Sequence, residues 1–263
     1  MKLQNDKYYT PSDLARKLTV KALKLIHPKN ITEIVEPSAG NGSFSKHIKN
    51  CIAYDIEPEA EGIIKQDYLK LKLPYKKGRL VIGNPPFGSG NTLSVKFFKK
   101  SCEIADYIAF IQPISQLNNN LQMYLFDLVY SEDLGVIKYS DRELHCCFNI
   151  YKRPEHGLNP KPSFVLKDIT IREYRRGGKY VIPEGYDYAI CNWGNGSLGK
   201  RVEYVGQFAQ EAYFYCHKKE FLQPMLDLLE FSTIREFVKS ISMKRISVMR
   251  LYKYLKDNIE GIE

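Results

Sequence analysis

The chain has little of what many folds and reactions need. Its six cysteines include no Cys-x-x-Cys pair and its five histidines no paired spacing. That excludes the common structural zinc patterns and favours a reducing, cytoplasmic setting. The scattered His27, His47, His145, His156 and His217 form no sequence pattern for a catalytic triad. No stretch is apolar over the length a bilayer demands, so no membrane partner is expected. Met1-Lys2-Leu3-Gln4-Asn5-Asp6 lacks an apolar core and is not read as a secretory signal. Internal repeats, heptads and low-complexity tracts are missing as well. Acid is scarce relative to base: 39 Lys+Arg against 30 Asp+Glu give a formal net charge of +9. Such a surplus favours a polyanionic partner, because phosphate contacts supply most non-specific affinity for nucleic acid. Plain solubility is the alternative. With 263 residues there is room for one doubly wound domain and a smaller appendage.

What is present is concentrated in short motifs. Leu80-Val81-Ile82-Gly83 reads as a buried strand, and Asn84-Pro85-Pro86-Phe87 follows at its end. A side-chain amide, a rigid backbone carbonyl and an aromatic face then share one loop. The exocyclic amine of an adenine is a poor nucleophile because its lone pair is delocalised into the ring. Two acceptors aimed at its hydrogens, the Asn84 oxygen and the Pro85 carbonyl, oppose that delocalisation and stabilise charge growing on nitrogen. Phe87 in that reading stacks on the ring. The bland alternative is a proline-bounded turn with Phe87 in the core.

Upstream, Ile31-Thr32-Glu33-Ile34-Val35 reads as a strand entering Glu36-Pro37-Ser38-Ala39-Gly40-Asn41-Gly42-Ser43-Phe44. Gly40 and Gly42 allow a sharp turn and close approach of a ligand, and a helix is expected from Ser43 to Lys49. A lone Gly-x-Gly is weak, and the third glycine of the dinucleotide pattern is missing. The next strand, Cys51-Ile52-Ala53-Tyr54, ends in Asp55, an acid placed to hold both hydroxyls of a ribose. Gln66-Asp67-Tyr68 comes where a third strand should end. Helices expected over Pro11–Ile26 and Thr92–Ile104 alternate with these strands in the order a parallel sheet requires. Leu117–Tyr130 is expected as a helix and Leu134–Tyr139 as a strand.

Taken in order, these motifs resemble those of the adenine-N6 DNA methyltransferases that use S-adenosylmethionine, in the group with the cofactor loop ahead of the catalytic loop. The resemblance covers residues 8–153. It implies an α/β fold, a Rossmann-like seven-stranded methyltransferase sheet with helices on both faces, over residues 1–154. A smaller C-terminal α+β region over 155–263 would recognise the target. The resemblance further implies that Tyr9-Thr10-Pro11 closes over the methionine end of the cofactor. Glu36, Pro37, Ser38, Gly40 and Gly42 would form the cofactor loop, with Asp55 on the ribose and Ile56 covering the cofactor adenine. Asp67 and Tyr68 would contact the amino group and flank of that adenine. Asn84, Pro85, Pro86 and Phe87 match the catalytic loop, with Asn84 also reaching the cofactor. Ile108-Ala109-Phe110-Ile111-Gln112-Pro113 matches the following core strand. His145-Cys146-Cys147-Phe148-Asn149-Ile150-Tyr151 resembles the last core motif, which would lay Phe148 against a flipped target base. The target nucleotide must leave the DNA stack to react. No metal and no dedicated base is required. Three alternatives stay open: an RNA adenine-N6 methyltransferase, a protein-glutamine methyltransferase, and an inactive methyltransferase-like nucleic-acid-binding subunit.

Prolines and glycine gather over Arg153–Pro162, read as the linker ending the core. Beyond it, Phe164-Val165-Leu166 and Ile169-Thr170-Ile171 suggest strands, and Asn195-Gly196 a tight hairpin. Trp193, the single tryptophan, is either a wedge for DNA or a loop residue folded on the core. Arg172, Arg175 and Arg176 are candidates for base-edge or minor-groove contact. Lys239, Lys244, Arg245, Arg250, Lys253 and Lys256 have no acid between Lys239 and Lys256, so on a helix they would track phosphates or form a solvated face. The expected partner is DNA, alternatively RNA, with a companion restriction enzyme or helper subunit left open. Oligomeric state is not readable.

Overall fold

Leu18 and its neighbours on one helical stripe start the fold. In a computed structural model of the protein, which describes residues 9–139, 143–162, 164–178, 180–194, 196–239 and 245–263, helix α1 spans Ser12–Ile26 and buries Ala15, Leu18, Ala22 and Ile26. Pro11 stands at its N-cap with φ −52°, a value its ring enforces. The chain divides into two compact units, Met1–Pro162 and Ser163–Glu263.

The first unit is a seven-stranded sheet of β1 (Glu33–Glu36), β2 (Ile52–Asp55), β3 (Ile63–Lys65), β4 (Arg79–Gly83), β5 (Tyr107–Pro113), β6 (Asp127–Lys138) and β7 (Glu143–Lys152). Their order across the sheet is β3-β2-β1-β4-β5-β7-β6. β1 to β5 pair in parallel, and β7 runs antiparallel to both β5 and β6. This is a Rossmann-like α/β sheet, with the seven strands that the sequence resemblance implies. Alternate residues feed opposite faces, as the period of two demands. Leu80, Ile82, Ala109, Ile111, Phe148 and Ile150 pack with α1 on one face. Val81, Ile108, Phe110 and Tyr151 pack on the other with Phe97, Phe98, Cys102 and Ile104 of α2 (Thr92–Ile104). From β1 the chain fills one side through β2 and β3, then returns to place β4 on the other side of β1. β1 and β4 therefore flank the switch point, where open α/β sheets bind ligands beyond the carboxyl ends of their strands.

Two expected helices are corrected. Ser43–Lys49 holds only a 3-10 turn over Ser45–His47. The Glu36 carboxylate captures the Ser45 amide at 2.8 Å, and Asn50 already turns the chain toward β2 at φ 59°. Leu117–Tyr130 is likewise not a helix: after a 3-10 turn at Ile114–Gln116 the chain loops, and β6 begins at Asp127. β6 absorbs the strand expected at Leu134–Tyr139 and is bent by register shifts at Leu128/Tyr130 and Asp133/Gly135. Gly135 adopts φ 70° at the second shift, which a side chain would resist.

The second unit is a three-stranded antiparallel sheet in the order β8-β10-β9, from β8 (Ile169–Arg175), β9 (Tyr188–Cys191) and β10 (Gln210–Cys216). Helices α3 (Leu222–Leu229), α4 (Phe231–Lys239) and α5 (Val248–Asn258) contribute Met225, Leu229, Ile234, Leu251 and Leu255 to a core shared with Ile171, Ile190 and Phe214. Phe164-Val165-Leu166 forms no strand. Asn195, half of the expected hairpin pair, and Lys244 lie outside the described residues. The basic stretch is not one phosphate-tracking helix either. α4 ends at Lys239 and α5 starts at Val248, Arg250 is buried, with its guanidinium 5.7 Å from the Phe237 ring centre, and Lys253 pairs with Asp257.

Candidate active site

Beyond Glu36 and Gly83 the loops after β1 and β4 run side by side. Gly83 permits this: a Cβ there would stand 3.3 Å from Pro37 Cδ. Ser38 Oγ donates to the Asn84 carbonyl at 3.4 Å, tying the two loops together. Between them opens a cleft of about 600 Å³, within the usual range for small-ligand sites. Of the residues expected at a cofactor site, Thr10, Glu36, Pro37, Ser38, Gly40, Asp55, Ile56, Asp67, Tyr68 and Asn84 line it, as does Pro86.

Each is held by local chemistry. Asp55, at the end of β2, accepts the Gly40 amide at 2.7 Å and the Glu57 amide at 2.8 Å, clamping the glycine loop. Gly40 takes φ 53°, and a Cβ there would meet the Tyr9 ring at 3.1 Å. The Tyr9 hydroxyl donates to Glu59 at 2.5 Å, so the segment before α1 covers the loop. Asp67 accepts the Leu69 amide at 3.0 Å. Tyr68 is buried, stacked on Phe97 with ring centres 5.5 Å apart, and shares a hydrogen bond of 2.9 Å with Ser101. Asn84 Nδ2 donates to Thr10 Oγ1 at 3.1 Å and to the Tyr139 hydroxyl at 3.4 Å. Thr10 and Tyr139 thus hold the end of the Asn84 side chain.

The electrostatics are one-sided. Glu36, Asp55, Glu57, Glu59 and Asp67 line the cleft, and no Lys, Arg or His does among the described residues. In a chain of net charge +9 this is a local inversion of sign. Burial pushes the Glu36 carboxyl up to about 7, the neighbouring Asp55 adds to the rise, and the Ser45 amide opposes it. A phosphate-rich dinucleotide would be repelled here. S-adenosylmethionine fits: its sulfonium and ammonium are cationic, its ribose suits the Asp55 carboxylate, and Ile56, Leu93 and Phe97 give apolar lining for its adenine.

Other expected site residues stand elsewhere. Pro11 is an exposed helix cap and Gly42 only shapes the loop, at φ 81°. Pro85 is buried and does not line the cleft. The stacking roles expected of Phe87 and Phe148 are corrected. Phe87 is 8 % exposed, Phe148 is fully buried, and both belong to the core on the α1 face. Side chains on a sheet alternate, and Phe148 falls on the inward phase with Cys146 and Ile150. In the second unit, Arg172 lies over the Tyr215 ring at 5.0 Å, while Arg175 and Arg245 both pair with Glu173, at 2.9 Å and 2.8 Å. Arg176 is exposed. Trp193 forms a β-bridge with Arg245 and is half-exposed.

Sequence reasoning missed Glu57, Glu59, Leu93, Phe97 and Tyr139. The acid run Asp55-Ile56-Glu57-Pro58-Glu59 was the available signal for the first two. Tyr139 reaches Asn84 from 55 residues away, beyond any local pattern.

No protein-family model and no curated protein sequence matches the chain. Among solved structures it is similar to a protein from Pyrococcus horikoshii provisionally described as an RNA methyltransferase, at 18 % identity over 58 % of this chain and 89 % of that one, with a TM-score of 0.46. It is also similar to the 23S rRNA methyltransferase ErmE, at 10 % identity over 59 % and 72 %, TM-score 0.42. A third is a magnesium protoporphyrin IX methyltransferase from Synechocystis with bound S-adenosylmethionine, at 11 % identity over 54 % and 80 %, TM-score 0.38. Likeness this distant assigns no reaction, and the fold class rests on the strand order of the chain itself.

Proposed function

We propose that the protein transfers a methyl group from S-adenosylmethionine to the N6 amine of adenine in DNA. The observation that carries this reading is the all-acidic cleft at the switch point, with Asn84 on its wall. S-adenosylmethionine, when bound, supplies an electrophilic methyl on a cationic sulfonium. Asp55 would hold the ribose hydroxyls, Asp67 the adenine amine, and Glu36 with Thr10 the methionine end. Asn84 accepts from the substrate amine and localises its lone pair. Thr10 and Tyr139 anchor the Asn84 side chain at the cleft wall. Positioning supplies much of the rate, and the proton leaves to solvent after transfer. A nucleic acid as the polymer is favoured by the net charge of +9, and DNA is the polymer that the sequence resemblance implies.

Calorimetric titration with S-adenosylmethionine, followed by competition between duplex DNA and structured RNA for labelled methyl, tests this. Saturable binding and transfer to DNA are expected. Absence of cofactor binding contradicts the enzyme, and preferential labelling of RNA contradicts the choice of polymer.

A further inference from the structure

A second set of amides, beside the catalytic loop, defines part of the substrate if methyl transfer to a base is the reaction. Asn91 stands at the N-cap of α2 in a left-handed conformation, φ 66°. An asparagine at this position ordinarily accepts a hydrogen bond from the first helical turn. Here the Phe87 carbonyl has that role, accepting from Leu93 at 3.0 Å and Ser94 at 3.4 Å, and Asn91 makes no side-chain cap. Its side chain serves another contact: Nδ2 donates to Gln122 Oε1 at 3.3 Å. Gln116, on the turn just past β5, donates Nε2 to the same oxygen at 2.8 Å.

The turn that carries Gln116 is backed by a buried amide network. The Gln116 carbonyl accepts from Asn149 Nδ2 at 2.8 Å, and Asn149 also donates to Gln112 at 2.9 Å. Asn91 is 6 % exposed and Gln116 3 %. Their oxygens, Asn91 Oδ1 and Gln116 Oε1, are buried and accept no hydrogen bond among the described residues. Each amide thus has its donor satisfied and its acceptor without a donor, an arrangement that costs stability. Gln122 is exposed and meets both N–H groups through its carbonyl alone. A base edge with a ring nitrogen beside an exocyclic amine, as adenine and cytosine have, offers an acceptor and a donor together. Amide side chains read that edge in bidentate fashion.

We infer that Asn91 and Gln116 form a base-reading subsite next to the catalytic loop, and that Gln122 is a placeholder displaced by the amino-bearing edge of a DNA base. The loop carrying it, Gln116-Leu117-Asn118-Asn119-Asn120-Leu121-Gln122, is dense in amides.

The test uses the full chain and labelled single-stranded DNA oligonucleotides, one of adenine and one of purine lacking the 6-amino group, read by fluorescence anisotropy. Wild type should prefer the amino-bearing oligonucleotide by at least about tenfold. Gln116→Met, close in shape but without the amide, and Asn91→Gly, which tolerates the left-handed turn, should each cut that preference by about tenfold. Gln122→Ala should tighten adenine binding roughly fivefold, since no placeholder has to leave. Because Gln116→Met removes an acceptor that had no donor, its melting temperature should hold or rise. An unchanged preference with a lowered melting temperature would assign the amides to packing or buried water and overturn the inference. Weaker binding by Gln122→Ala would overturn it too. If wild type fails to bind S-adenosylmethionine while the preference and its loss persist, the methyl-transfer reading falls and the subsite stands.

Discussion

Two groups of acids, one in each unit, are treated in opposite ways. In the first, Glu36, Asp55, Glu57, Glu59 and Asp67 gather round one cleft with no basic side chain on its wall among the described residues. In the second, acids are answered where they stand. Glu173 is shared by Arg175, Arg245 and Asn192. Glu211, fully buried, accepts from the Gly206 and Phe208 amides and the Tyr213 hydroxyl, at 2.9, 2.6 and 2.5 Å. Acids compensated in place build a fold. Acids gathered on one cleft wall suit a cationic ligand, and a buried carboxyl raised as that of Glu36 is marks a candidate functional cleft.

Substitutions can break that contrast. The largest effect is expected from Asn84→Ala: methyl transfer should fall by about 10²–10³-fold while the cofactor dissociation constant moves less than about threefold. Equal losses in rate assay and titration would remove Asn84 from the chemistry. Asp55→Ala should weaken cofactor binding by about 10–100-fold, as expected for charged hydrogen bonds to the ribose. It should also lower the melting temperature, because the Gly40 and Glu57 amides lose their acceptor. An unaltered affinity would show that the ribose lies elsewhere.

Glu173→Ala should act in the second unit alone. It leaves two guanidinium groups and the Asn192 amide without their shared acceptor, costing about 1–3 kcal/mol, and the cofactor titration should not change. Burial acts to raise the Glu173 pKa, and the bonds from Arg245, Asn192 and Arg175 outweigh it, so the net direction is down. The stability it contributes is present above its unfolded pKa and lost as pH falls through the lowered one; the variant should lack that acid-side loss. Should cofactor affinity fall with it, the contrast between the units fails.

Glu36 gives a pH dependence of the opposite sign. Its folded carboxyl sits at about 7 against an ordinary 4.5, so the folded state keeps a proton that the unfolded chain releases. That contribution to stability is full below 4.5 and disappears as pH rises through about 7. Glu36→Gln should flatten the decline in melting temperature between those values. A decline of the same slope in the variant would move its origin to another group.

Local signals were legible and distant ones were not. Helices α1 and α2 and strands β1, β2 and β4 follow from the local apolar pattern and β5 and β7 from the resemblance, and all lie near their expected places, because local burial decides each of them. The cofactor-loop residues are legible because neighbours in sequence meet in one cleft. Phe87 and Phe148 misled because an aromatic next to a motif packs inward as readily as outward, and burial is decided by α1, far away in sequence. Leu117–Tyr130 misled because its apolar spacing suits a helix, while pairing of β6 with β7 decides its second half. The arginines of the second unit read as free for DNA until Glu173 is placed between two of them.

The most direct measurement is to incubate the protein with methyl-labelled S-adenosylmethionine and mixed-sequence duplex DNA, digest to nucleosides, and identify the labelled one. N6-methyladenine at a defined sequence is the predicted product. Label confined to cytosine or to the protein, or no label despite cofactor binding, would contradict the assignment of Asn84 as the residue that activates an adenine amine.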